Sequence, residues 1–133
     1  MTYLLDTNTC VDFLRRATVS KVAGRLNAAP AGSVAISSVV VAELLYGAWR
    51  STNPAATRGQ VLAFCSQFTS LPFDSLAAEE YGKVRAHLAR LGQMIGPYDL
   101  MIAGIALANG LIVVTHNAAE FSRVPGLQIE DWQ

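Results

Sequence analysis

The sequence predicts an α/β fold: a central, mostly parallel sheet of four to five strands with helices on both faces. Two observations carry that expectation. Short apolar runs at Tyr3-Leu4-Leu5, Val34-Ala35-Ile36 and Leu111 to Val114 alternate with longer stretches of helical periodicity, the pattern of repeated β-α units. The runs are apolar at successive positions instead of alternating, as expected for strands covered on both sides.

The first strand stops at Asp6-Thr7-Asn8-Thr9, a cluster with turn and capping chemistry, and Val11, Phe13 and Leu14 begin a helix. A second helix is expected from Val19, with Val22, Leu26 and Ala29 on one face, until Pro30-Ala31-Gly32 breaks it. Ser37-Ser38 caps a third helix running to about Arg50, whose Val39, Val40, Val41, Leu44, Leu45, Tyr46 and Trp49 leave almost no polar face. Glu43 lies within this helix and shares a surface with Val39, Val40, Tyr46 and Gly47, so its charge needs a partner or a proton. A further helix is expected to about Phe68, then a strand over Ser70 to Phe73 that Pro72 confines to a sheet edge.

Asp74-Ser75 opens an amphipathic helix with Ala77, Tyr81, Val84, Leu88 and Leu91 as its buried stripe. His87 lies on the flank of that stripe with no second His or Cys nearby, and receives no role. Pro97 suits a first helical turn and Asn109-Gly110 a left-handed stop. Between them Leu100 to Ala108 is apolar all round, which sets Asp99 at the edge of a core. Taken alone, an acid there caps the helix or rests against its positive end. Leu127-Gln128-Ile129 reads as a last edge strand.

The length of 133 residues fits one domain, 1–133. Apolar residues are 52% and charged residues 15%, a skew that suggests surface covered by another chain. The formal net charge is zero, so composition gives no support to nucleic-acid binding, although all cations but Lys21 and Lys83 are Arg, the better phosphate ligand. Cys10 and Cys65 read as buried free thiols. The run before Asp6 is too short for a signal peptide and no stretch is long enough to span a bilayer, so no membrane role and a cytoplasmic location are expected.

In a parallel α/β sheet, ligands bind at the carboxyl ends of the strands, where Asp6, Thr115 and Asn117 emerge. Glu43 and Asp99 reach the same edge if the crossovers are right-handed. Carboxylates about 5 Å apart repel by roughly 3 kcal/mol per pair at an effective dielectric of about 20, and a divalent cation relieves that load. Oxygen donors without a Cys or His cluster point to a hard cation, Mg²⁺ or Mn²⁺, able to activate water against a phosphodiester.

Leu5-Asp6-Thr7-Asn8, Ala42-Glu43-Leu44 after Ser37-Ser38, Pro97-Tyr98-Asp99, and Val114-Thr115-His116-Asn117 through Glu120-Phe121 resemble a PIN-domain ribonuclease of the VapC toxin type. The likeness covers essentially the whole chain, to the closing Val124-Pro125-Gly126-Leu127 and Trp132. It implies a PIN-like three-layer α/β/α fold and a metal-dependent endoribonuclease that cuts selected structured RNAs. It also implies Asp6 and Asp99 as the principal Mg²⁺ ligands, Glu43 as the completing acid that positions water, and Thr7, Asn8 and Thr115 in support behind them. A homodimer and a cognate antitoxin that covers apolar grooves belong to the same implication. The sequence departs from the family at the fourth acidic position, which is Asn117; Glu120, one helical turn on, either replaces that carboxylate or caps the segment.

His116, a neighbour on a strand end, is expected to point away from the acids, as a bystander or an RNA contact. Arg15, Arg16, Arg50, Arg85, Arg90 and Arg123 are candidate phosphate contacts. Two other readings fit parts of the sequence. Asp6-Thr7-Asn8-Thr9 resembles a degraded haloacid-dehalogenase phosphatase motif with Asp6 as nucleophile, though Asn8 stands where a second acid belongs and no late Lys follows. The other is a non-catalytic PIN-like binding domain whose acids only cap helices.

Overall fold

The computed structural model describes residues 1–133. Its centre is a five-stranded sheet in the order β3-β2-β1-β4-β5, formed by β1 (Tyr3–Leu5), β2 (Val34–Ser37), β3 (Thr69–Leu71), β4 (Ile112–Val114) and β5 (Ile129–Glu130). Every pairing is parallel, with Leu4 opposite Ala35 on one side and Val113 on the other. The helices are α1 (Thr7–Arg16), α2 (Lys21–Ala28), α3 (Ser38–Trp49), α4 (Pro54–Cys65), α5 (Ser75–Leu91), α6 (Pro97–Asn109) and α7 (Ala118–Phe121).

Chain order explains the layers. From β1 the sheet grows through β2 to β3, and the next strand, β4, returns to the opposite side of β1. Right-handed crossovers therefore put α1–α4 over one face and α5–α7 over the other. The reversal makes the gap between β1 and β4 the topological switch point, where α/β sheets bind ligands. Asp6 and Thr115 are the residues that follow those strands. The ladder runs one step beyond the strands, with Asp6 N–H donating to Val114 O at 3.0 Å and Thr115 N–H to Glu130 O at 2.8 Å. Both residues are thereby fixed to the sheet edge.

Local sequence accounts for most boundaries. Side chains of Asp6, Ser20, Ser37, Asn53 and Asp74 accept backbone N–H groups and start α1, α2, α3, α4 and α5. Gly92 and Gly110, in left-handed conformation, close α5 and α6. The second helix begins at Lys21 instead of Val19, because Ser20 is its cap and Ala17–Val19 form a 3₁₀ turn ahead of it. The fourth helix ends at Cys65, before the expected Phe68, and tightens into i→i+3 bonds from Gln67 and Phe68 N–H. β3 is an edge strand as expected, but shifted to Thr69–Leu71: its register on Ala35–Ser37 ends where Pro72 has no N–H to give.

The core is continuous from both sheet faces into α6, whose Leu100, Ile102, Ala103, Ile105 and Ala106 are buried beside Leu5, Val113 and Phe121. At Gly104, α6 approaches α5 so closely that an added Cβ would stand 2.7 Å from Ala77 O. This contact sets the pose of α6, and so of Asp99 in its first turn. No helix is long and apolar enough to cross a membrane.

Candidate active site

Asp6 is 2% exposed, a carboxylate buried at the end of the central strand. Its Oδ1 accepts Thr9 N–H at 2.9 Å, so it also caps α1. Burial pushes its pKa up, and hydrogen bonding from Thr115 and Thr9 offsets only part of that. Thr9 was not singled out in the sequence beyond its place in a capping cluster. It is buried, and its hydroxyl donates to Val114 O at 3.1 Å, tying α1 to β4 directly behind Asp6.

Glu43 comes from the second turn of α3, half-buried, and its Oε1 accepts the Thr7 hydroxyl at 2.6 Å. This supplies the partner that its apolar helix surface demanded. Asp99 stands in the first turn of α6 without capping it; the cap is Gly96, which offers no side-chain bond. Asn117 Nδ2 lies 3.5 Å from Asp99 Oδ2, a long and weak hydrogen bond. Burial first, and then the negative charges of Asp6, Glu120 and Glu43, together raise the Asp99 pKa from 3.8 to about 6, against a small lowering by the Asn117 amide.

Asp6, Thr7, Asn8, Glu43, Pro97, Tyr98 and Asp99 line one cavity of about 200 Å³. Thr115 sits behind it, buried, with its hydroxyl accepting Asn117 N–H at 2.8 Å, which fixes the turn carrying Asn117. Glu120, half-buried on α7, adds its charge to the surroundings of Asp99. The sequence thus brings Asp6, Glu43 and Asp99 to one cavity. No three acids, His or Cys close into a ligand cage by themselves, so the gathering is looser than the tight triad that pairwise repulsion at about 5 Å describes.

No Arg, Lys or His pairs with Asp6, Glu43, Asp99 or Glu120; the chain's ion pairs lie at Arg16–Asp12, Arg25–Glu130, Lys83–Glu80 and His116–Asp131. Asp6 and Asp99, unpaired with any base and with raised pKa values, offer oxygen donors of the kind a hard divalent cation takes, one or two carboxylates with water and phosphate oxygens in its remaining positions.

The PIN domain family matches residues 3–127, and a relative from Salmonella typhimurium, the tRNA(fMet)-specific endonuclease VapC, is 44% identical over 98% of this chain and 97% of its own length. The chain belongs to the PIN-domain family. A second relative, ribonuclease VapC2 of Haemophilus influenzae, is 37% identical over the same shares. Among solved structures, the DNA-bound VapBC complex of Salmonella typhimurium contains a chain 42% identical, superposing with a TM-score of 0.94 over all of this chain and 99% of that one. VapBC2 of Rickettsia felis, bound to a DNA fragment from its promoter, gives 0.92 at 33% identity over the full length of both chains.

Within that family the phosphatase reading loses its support. Asp6 is buried and held by the α1 backbone, and neither Lys21 nor Lys83 lines the acid cavity. His116 does point away from the acids: its Nδ1 stands 2.9 Å from Asp131 Oδ2 on the exposed surface. That pair was not foreseen, since Asp131 belongs to a tail whose docking depends on Trp132, buried against Tyr3 with ring centroids 5.0 Å apart.

Proposed function

We propose that the chain is a divalent-metal-dependent endoribonuclease, using Mg²⁺ or Mn²⁺, and the toxin of a toxin–antitoxin pair. The observation that carries this reading is the cavity itself: Asp6, Glu43 and Asp99 around one space, with no basic partner and Asp99 raised to about 6. Asp6 and Asp99 would hold the cation, with Asn8 in the same cavity and Asn117 and Glu120 beside Asp99 as groups to support its water. The cation supplies positive charge to a phosphodiester under attack and makes water a better nucleophile.

The chain's own groups do the rest. Thr7 occupies Glu43 Oε1, leaving Oε2 free to accept the proton of an attacking water. Asn117 Nδ2 makes a long contact to one oxygen of Asp99, and the Asp99 side chain lines the cavity. Thr115 and Thr9 keep Asp6 ionisable despite its burial. Given the Salmonella relative's name, initiator tRNA is the first RNA to test.

The partner reading rests on surface. A groove of about 690 Å³ beside the acids is lined by Val39, Ala42, Tyr46, Tyr98 and Met101, and Tyr46, Trp49 and Tyr98 are more than half exposed. Apolar area of this kind suits a cognate antitoxin and a second copy of the chain. VapBC complexes among the structural relatives support the first.

The test is cleavage of total RNA and of initiator tRNA by wild type and Asp99→Asn, with Mg²⁺ and with chelator. Wild type with Mg²⁺ is expected to cut and the other lanes to stay intact. Equal cutting in every lane rejects the metal-dependent assignment, and no cutting anywhere favours the non-catalytic binding domain.

A further inference from the structure

Asn8 lines two cavities, the acid cavity and a neighbour of about 450 Å³. Asn117, whose amide faces Asp99, also lines the neighbour, so the two spaces share a wall of uncharged amides. Beyond that wall stand Arg15 and Arg16 from the last turn of α1, and His116 from the turn after β4.

Most of the charge there is already committed. Arg16 Nε lies 3.1 Å from Asp12 Oδ1, and the other Asp12 oxygen accepts the Ser20 hydroxyl at 2.6 Å. His116 is held by Asp131. Arg15 has no carboxylate within ion-pair distance. It also borders a separate groove that reaches Glu43 along α1 and α3, so it adjoins the acids by two routes.

We infer that this second cavity is a phosphate subsite for the RNA strand, with Arg15 as its charged contact and Asn8 and Asn117 donating to the backbone oxygens between. The inference rests on the nuclease reading above. Chain continuity favours RNA over an acidic protein segment: a strand with one phosphate at the acids necessarily carries another phosphate beyond it. A peptide carboxylate on this path gains nothing from that link.

The experiment uses metal-free Asp99→Asn protein and a labelled single-stranded RNA of about a dozen nucleotides, followed by fluorescence anisotropy across a salt series. Adding Arg15→Ala is expected to raise Kd about tenfold, the loss of one charge-assisted hydrogen bond. The slope of log Kd against log salt should fall by about 0.7, one phosphate on a single strand. Arg15→Lys should restore the slope and part of the affinity, and Lys83→Ala, outside the cavity, should move neither. With Asp99 intact and metal present, the Arg15→Ala defect should fall on KM more than on kcat.

Unchanged affinity and slope in Arg15→Ala would overturn the subsite. So would a variant that binds RNA normally but loses capture of its protein partner, since the cavity would then belong to the antitoxin. Cleavage by wild type is read separately. RNA held through Arg15 yet never cut rejects the nuclease reading and keeps the subsite; normal cutting with an indifferent Arg15 does the reverse.

Discussion

Asp99→Asn should make the metal-free protein more stable at neutral pH while abolishing its response to metal. The folded-state pKa of Asp99 is raised from 3.8 to about 6, first by burial and then by Asp6, Glu120 and Glu43. At 1.36 kcal/mol per pH unit, that corresponds to about 3 kcal/mol. The side chain is only half-buried, and solvent screening reduces the figure to about 1–2 kcal/mol. The sign follows from proton binding: between 3.8 and about 6 the native state binds more protons than the unfolded one, so stability falls as pH rises through that window. Asparagine keeps the shape and can still accept from Asn117, but carries no charge to strand. Urea melts without metal should therefore show the variant ahead by about 1–2 kcal/mol at pH 7.5, with the gap closing near pH 4. Mg²⁺ should stabilise wild type and leave the variant unmoved. A variant that is less stable than wild type at pH 7.5 without metal would refute the electrostatic argument, whatever its activity.

Thr7→Val removes the hydroxyl that orients Glu43 and should slow cleavage about tenfold with little loss of metal binding, whereas Thr7→Ser should retain most of the rate; single-turnover assays decide it. Gly104→Ala puts a methyl group 2.7 Å from Ala77 O on α5, and should cost about 1–3 kcal/mol in urea denaturation, because backbone must move to admit it.

The sheet and its edge were legible because short apolar runs, caps and stops agree with one another. Asp6, Thr115 and Pro72 follow from strand ends alone, and the order of the units forces a switch point. What stayed illegible was long-range. Nothing near Glu43 in sequence names Thr7, thirty-six positions away, as its hydrogen-bond donor. The pairing of His116 with Asp131 depends on how a tail docks, and that docking is set by an aromatic contact between Tyr3 and Trp132 at opposite ends of the chain. The shift of β3 by a residue or two is likewise a matter of its partner's register, which local periodicity does not contain.

Asp6 and Asp99 share a cavity and both have raised pKa values, but only Asp6 also caps a helix, which decides how mutants of each can be read. Asp6 closes the first turn of α1, and Thr9 and Thr115 stabilise its ionised form, so its burial is partly compensated. Truncating it removes a cap worth about 1 kcal/mol along with any ligand role, and lost activity would not distinguish the two. Asp99 caps nothing and has only the long contact to Asn117. Its charge contributes repulsion to the metal-free fold, so loss of function there should come with gained stability. At Asp6 relief of a buried charge and loss of the cap oppose each other, whereas at Asp99 only the relief remains, so a clear gain of stability is expected at Asp99 and not at Asp6.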